Sequence, residues 1–148
     1  MTATDSNYVI GIDPGARRTG VCLFNVDKLS IVGSWDVDGG AQGFIDFVPE
    51  LPIKTVAAVI VEDYIPFKAA GDPRGLEIIG VVRYLRPDMI LQSPQGRKAA
   101  IPDEVLKRLG WYLPGEQHRN EREAIRHIAW YLKQQKNLEF VKKAWPPK

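Results

Sequence analysis

The sequence predicts an α/β domain, a mixed central sheet of about five strands flanked by helices. Three observations predict it. Short apolar stretches at residues 8–12, 20–25 and 29–35 follow one another across tight turns. Residues 55–61, TVAAVIV, are apolar on both faces, as befits a strand in the middle of a sheet covered by helices. The remaining segments repeat apolar residues at helical spacing. A meander, a helix, a central strand, a helix, a further strand and then helices make an α/β sandwich.

Each element has its own signal. Strand 8–12 ends in Asp13-Pro14-Gly15, a turn sequence. Strands 20–25 and 29–35 flank the turn Asn25-Val26-Asp27-Lys28, which makes the first three strands antiparallel. Gly39-Gly40 releases the chain into a helix with Phe44, Phe47 and Val48 on one face. Gly71-Asp72-Pro73 breaks the chain before a helix at 74–85, whose stripe reads Leu76, Ile79, Val82 and Leu85. Gly80 costs that helix about 1 kcal/mol relative to Ala, which points to close packing against this chain's sheet or against a second copy. Strand 88–92, a turn at 93–96, a helix at 103–109 and a loop at 110–115 lead to a last long helix at 119–135. Residues 137–148 read as a loose C-terminal tail. Without repeat, linker or low-complexity tract, residues 1–148 form a single domain.

Composition narrows the classes. No apolar run approaches the roughly 20 residues of a membrane span, and MTATDSNY lacks the basic start and apolar stretch of a secretory signal. The single cysteine, Cys22, sits in an apolar run and excludes both a disulfide framework and a thiolate zinc site. A reducing, cytoplasmic compartment is expected. Net charge is only +2, but its placement is informative. Arg17, Arg18, Lys68, Arg74, Arg97 and Lys98 all fall in Gly/Pro-containing segments, from which basic groups can converge on phosphates.

The carboxylates carry the chemistry. Asp13 and Glu62 each stand directly after a strongly apolar strand, at the edge where open α/β sheets collect their sites. The last helix opens with Asn120, Glu121 and Glu123 and can bring a third acid over that edge. Three converging carboxylates repel one another unless a cation neutralises them. Oxygen ligands suit Mg²⁺ or Mn²⁺, and two such ions about 3.5–4 Å apart support phosphodiester cleavage. Taken singly, each acid is equally an ordinary strand-end or helix-start residue. The combination in this element order carries the reading.

YVIGIDPGARRTGV, residues 8–21, resembles the first motif of the RuvC-type Holliday-junction resolvases, with an aspartate after the first strand and Thr19-Gly20 opening the second. Ile60-Val61-Glu62 is similar to that family's second motif. Glu123-Ala124-Ile125-Arg126-His127, followed by the apolar run 128–132, resembles the opening of its last helix, as in phage-type members. The resemblance spans residues 8–132. It implies an RNase H-like fold and a metal-dependent endonuclease that cuts branched DNA, with four-way junctions as substrate. It further implies two Mg²⁺ or Mn²⁺ ions held by Asp13, Glu62 and Glu123, and a homodimer formed through helix 74–85. The resemblance also implies DNA contacts for Lys98 after the fifth strand and for Phe67 (or Tyr64), stacking on a base for about 1–3 kcal/mol. Arg17 and Arg18, in the turn beside Asp13, can by their position meet the DNA backbone.

One position departs from the pattern. The family places Asp or His three residues before the last acid, where this chain has Asn120, read here as a neutral neighbour of a metal-bound water. His118-x-x-Glu121 offers a competing register, because Glu121 shares the core-facing stripe with Ile125, Ile128 and Leu132 while Glu123 falls at its edge. Three other classes compete. An actin/hexokinase-type phosphate-binding fold needs a second, duplicated domain, for which 148 residues leave no room. A RuvX/YqgF-type RNA-processing nuclease shares the motifs. A branched-DNA-binding module without catalysis is suggested by Asn120.

Overall fold

The structure, a computed structural model, describes residues 6–64 and 72–147. Its centre is a five-stranded sheet in the order β3-β2-β1-β4-β5. Strands β1 (Tyr8–Asp13), β2 (Arg18–Asn25) and β3 (Ser30–Asp38) form the antiparallel meander. Strands β4 (Ala58–Glu62) and β5 (Ile90–Gln92) extend the sheet in parallel from β1. Alternate residues of β1 point to opposite faces, and both faces are covered.

On one face Ile10, Ile12, Val21, Val59 and Val61 pack under helices α1 (Gly40–Phe47) and α2 (Gly75–Leu85), which contribute Phe44, Ile78 and Val82. On the other, Val9, Cys22, Phe24 and Ile60 meet helices α4 (Asp103–Leu109), α5 (Arg119–Gln134) and α6 (Leu138–Ala144). A short helix α3 (Arg97–Ala100) links β5 to α4. Among the described residues no helix is long and apolar enough to cross a membrane.

Three local expectations are corrected. The central strand starts at Ala58 rather than at residue 55, because the N–H groups of Thr55 and Val56 both donate to the Pro52 carbonyl at 3.1 Å and close a turn. In α2 the buried face runs through Gly75, Ile78, Ile79 and Val82, while Leu76 is 43% exposed. The stripe is rotated: Ile78 is fully buried in the core cluster with Ile12, Val59 and Val61, and Leu76 stands outside it. The segment read as a loose tail forms α6. The Asn137 side chain accepts the Phe140 N–H at 3.0 Å as an N-cap. Phe140 is fully buried, with ring contacts to Trp111 and Trp145. Phe140 and Ala144, one turn apart and both fully buried, anchor the segment to the core.

Candidate active site

The pairing of β1 with β4 is parallel and in register, with Ile12 opposite Val61. Asp13 and Glu62, the next residue on each strand, therefore emerge side by side at the same sheet edge. Helix α5 crosses that edge at close range. A Cβ on Gly11 would stand 2.5 Å from the Ala124 carbonyl oxygen, so only glycine lets the helix lie this low. This approach carries Glu123 to Asp13 and Glu62, and all three acids line one pocket of about 350 Å³ together with Arg97, Arg119 and Asn120.

Crowding governs the electrostatics. Burial first, then the charges of Glu62 and Glu123 and a hydrogen bond with Glu62, hold the Asp13 carboxyl well above the ordinary carboxylate range; Arg97 works against them. Glu123 behaves oppositely. Burial pushes it up, but the Arg97 hydrogen bond and the charge of Arg126 outweigh burial and leave it below its usual value. Arg97 Nε donates to Glu123 Oε1 at 2.7 Å. Arg126, 1% exposed, donates from Nε to both Glu123 oxygens at 3.2 and 3.3 Å and also bonds the Ile101 carbonyl and Asp103. Glu62 accepts from His127 Nε2 at 2.9 Å.

The competing register forms a separate cluster. Glu121 is buried towards β3, where Ser34 Oγ donates to Oε2 at 2.6 Å and His118 Nδ1 lies 3.0 Å from Oε1. Neither Glu121 nor His118 lines the acidic pocket. Asn120 lines it, yet its Nδ2 donates to Asp36 Oδ1 at 3.1 Å. The side chain expected to serve the acids is thus bonded to strand β3.

Arg17 is exposed in the β1–β2 turn and pairs with Asp38 at 3.4 Å. Lys98 is exposed on α3, next to Arg97. Tyr64 lines the pocket, and its ring lies against Gly75. Phe67 and Lys68 lie outside the described residues.

Sequence reasoning missed the two arginines on Glu123. Arg126 follows Glu123 by three residues, a spacing that brings helical side chains together, and was the available signal. Arg97 comes from a distant element and left none. Asp72 also lines the pocket; within a Gly-Asp-Pro break it reads as a turn residue, and its hydrogen bonds from Arg74 lower its pKa to about 2.

Hard oxygen donors crowded in a pocket where burial first and mutual repulsion second raise one pKa fit a divalent cation. Asp13, Glu62 and Glu123 are the residues that would hold it. As placed, Glu123 answers Arg97 and Arg126 instead, and among the described residues no three potential ligands close on one point.

No family profile and no curated protein matches the chain by sequence. Solved structures match its fold. The Thermus thermophilus RuvC in complex with Holliday junction substrate superposes with a TM-score of 0.58 at 18% identity, covering 87% of this chain and 96% of that one. A second Thermus thermophilus RuvC structure gives 0.58 at 19% identity, over 86% and 96%. The fowlpox virus Holliday junction resolvase gives 0.54 at 13% identity, over 86% and 99%. The mixed sheet with helices on both faces is the RNase H-like fold. Within that class the fold is RuvC-like, and at these identities the likeness is one of fold.

Proposed function

We propose that this protein is a metal-dependent endonuclease that cuts branched DNA, with the four-way junction as its substrate. The observation that carries the proposal is that Asp13, Glu62 and Glu123 line one pocket, with Asp13 raised by burial first and then by the charges of the other two. Two bound Mg²⁺ or Mn²⁺ ions would supply Lewis acidity and an activated water there. Asp13 and Glu62 offer oxygen donors from adjacent strand ends, and Glu123 offers them from α5. Arg97 and Arg119 line the same pocket and can meet a phosphate, while Lys98 and Arg17 extend positive charge over its surroundings. Phe67, between β4 and α2, supplies the stacking ring.

Paired nicks across a pseudo-symmetric junction need two sites related by a two-fold axis, and a homodimer provides them. Helix α2 supports this reading. A groove of about 920 Å³ runs between α1 and α2, Tyr84 is 85% exposed, and a Cβ on Gly80 would meet nothing within 4 Å. The packing partner that Gly80 suggested is therefore not this chain's own sheet. Light scattering at micromolar concentration reads the dimer, and a monomer making paired nicks would count against it.

The test is cleavage of an immobile four-way junction against a linear duplex, with Mg²⁺ or Mn²⁺. Nicking confined to the junction and abolished in Asp13→Asn supports the proposal; wild-type rates in Asp13→Asn overturn it. A second reading, a branched-DNA-binding module without cleavage, draws on the two guanidinium groups that hold Glu123. Tight junction binding with no nicking in either metal would establish it.

A further inference from the structure

His127 lies wholly inside the protein, one turn after Glu123 on α5, and its ring ties two strand ends to the helix. Nε2 is 2.9 Å from Glu62 Oε2, and Nδ1 is 2.6 Å from Gln92 Oε1. Gln92 pairs with Glu62 in the β4–β5 ladder, is 5% exposed, and donates from Nε2 to Gln134 Oε1 at 3.0 Å. The Trp130 ring flanks the imidazole at 6.1 Å. Glu62, His127, Gln92 and Gln134 thus form one continuous chain from the acidic pocket to the last turn of α5. Among the described residues no buried side-chain nitrogen or oxygen lacks a partner.

The chemistry fixes both directions at the ring. Carboxylate and amide oxygens only accept, so as placed Nε2 donates to Glu62 and Nδ1 donates to Gln92 Oε1. A glutamate has three side-chain torsions, the last of them broad, and is a poorly defined metal ligand unless something holds it. Here a fully buried ring, itself held from behind by Gln92, takes one carboxylate oxygen. We propose that His127 is a positioning residue for Glu62: its ring N–H claims Oε2, so Glu62 meets a divalent cation in the acidic pocket through Oε1. The proposal rests on reading Asp13, Glu62 and Glu123 as a metal site. It gives His127 and Gln92 roles that the acids alone do not explain.

The test uses the full chain and Mn²⁺ as the probe. Mn²⁺ affinity is measured by titration calorimetry, stability by melting in EDTA, and kcat and KM on a four-way junction. His127→Leu fills the site with an apolar side chain and loses the donor. His127→Gln carries an amide N–H that reaches towards the place of Nε2. Removing an outer hydrogen-bond partner of a metal ligand weakens metal binding by about 10- to 100-fold, and that loss is expected for His127→Leu, with kcat lowered and KM unchanged. His127→Gln recovers most of the Mn²⁺ affinity even where it melts as low as His127→Leu. In a Glu62→Gln background the leucine causes no further loss.

Wild-type Mn²⁺ affinity in His127→Leu, with affinity lost in Glu62→Gln, overturns the positioning role alone. Equal Mn²⁺ affinities in the leucine and glutamine variants, both low, overturn it too, because a purely structural residue behaves that way. No Mn²⁺ binding by the wild-type chain overturns the metal-site reading and this proposal with it. Should His127→Leu fail to fold, Gln92→Leu releases the ring from behind while leaving it in place. Weakened Mn²⁺ binding there supports the role, and unchanged binding removes it.

Discussion

The carbonyl of Asn120 lies directly over Gly20: a Cβ on Gly20 would stand 2.1 Å from that oxygen. The obstructing atom is backbone, so no side-chain adjustment relieves the contact. Together with Gly11 under Ala124, it seats the first turns of α5 on β1 and β2. Glu123 sits between those two contacts and inherits its place from them. The Thr19-Gly20 pair at the start of β2 is thus a seat for the helix.

Gly20→Ala is therefore expected to push the start of α5 off the sheet. Overpacking of this kind costs about 1–3 kcal/mol, read as a lower midpoint in urea unfolding. Junction cleavage should fall further than stability alone accounts for, because Glu123 moves with the helix. An alanine variant with unchanged midpoint and unchanged cleavage would show that the helix is not seated through this glycine.

The two acids of the α5 opening should separate cleanly. Glu123→Gln is expected to lose cleavage by orders of magnitude, since its carboxylate lines the pocket with Asp13 and Glu62. Glu121→Gln leaves the pocket alone and weakens bonds to Ser34 and His118. Leaving such buried groups poorly satisfied costs about 1–3 kcal/mol, visible in unfolding, with cleavage retained in the folded fraction. An inactive yet fully folded Glu121→Gln beside an active Glu123→Gln would transfer the role to the His118/Glu121 cluster.

The sheet and the positions of Asp13 and Glu62 were legible in the sequence because buried strands announce themselves as apolar runs and the acids end those runs. Helix faces were less so. Leu76 and Ile78 are both apolar, and only the crossing of α2 over the sheet decides that Ile78 is buried. Residues 55–57 look like strand, but the Pro52 carbonyl captures the N–H groups of Thr55 and Val56 first, and only Ala57 donates to β1, at the Tyr8 carbonyl. The choice between Glu121 and Glu123 depended on which side of α5 overhangs the sheet edge. Periodicity placed Glu121 on the buried stripe correctly, and burial there put it against Ser34 instead of in the pocket. Arg97 reaches Glu123 from 26 residues away in sequence, a pairing that only the fold creates.

The raised pKa of Asp13 makes stability without metal depend on pH. A carboxyl raised in the folded state contributes stability that is full below its unfolded pKa and is lost as pH rises through the folded value. For Asp13 the loss begins near 3.8 and extends upward. Glu123 is lowered, so its contribution is present above 4.5 and lost only below it. Melting in EDTA above pH 4.5, where the Glu123 contribution is already present, should therefore show the wild type weakening as pH rises. Asp13→Asn should flatten that slope and melt higher at the alkaline end. Relief of site strain commonly yields about 0.5–2 kcal/mol, at about 2–4 °C per kcal/mol for a chain of this size. A variant melting below the wild type throughout would mean that Asp13 stabilises the metal-free fold.

Asn120 sets resemblance against geometry. The family pattern places Asp or His at this position, which by itself implies that Asn120→Asp keeps or improves cleavage. In the structure Asn120 Nδ2 donates to Asp36 Oδ1 at 3.1 Å, while Arg18 Nη1 holds Asp36 Oδ2 at the same distance. An aspartate at position 120 removes the donor and faces a second carboxylate across that gap, with one arginine to serve both. The expected outcome is a loss of about 1–3 kcal/mol in stability and no gain in Mn²⁺-dependent cleavage. Adding Asp36→Asn restores a donor and an acceptor in reversed order and should recover most of the stability, a coupling that a double-mutant cycle in urea measures. If Asn120→Asp is as stable as the wild type and cuts junctions faster, residue 120 faces the acids during catalysis and the Asp36 bond is expendable.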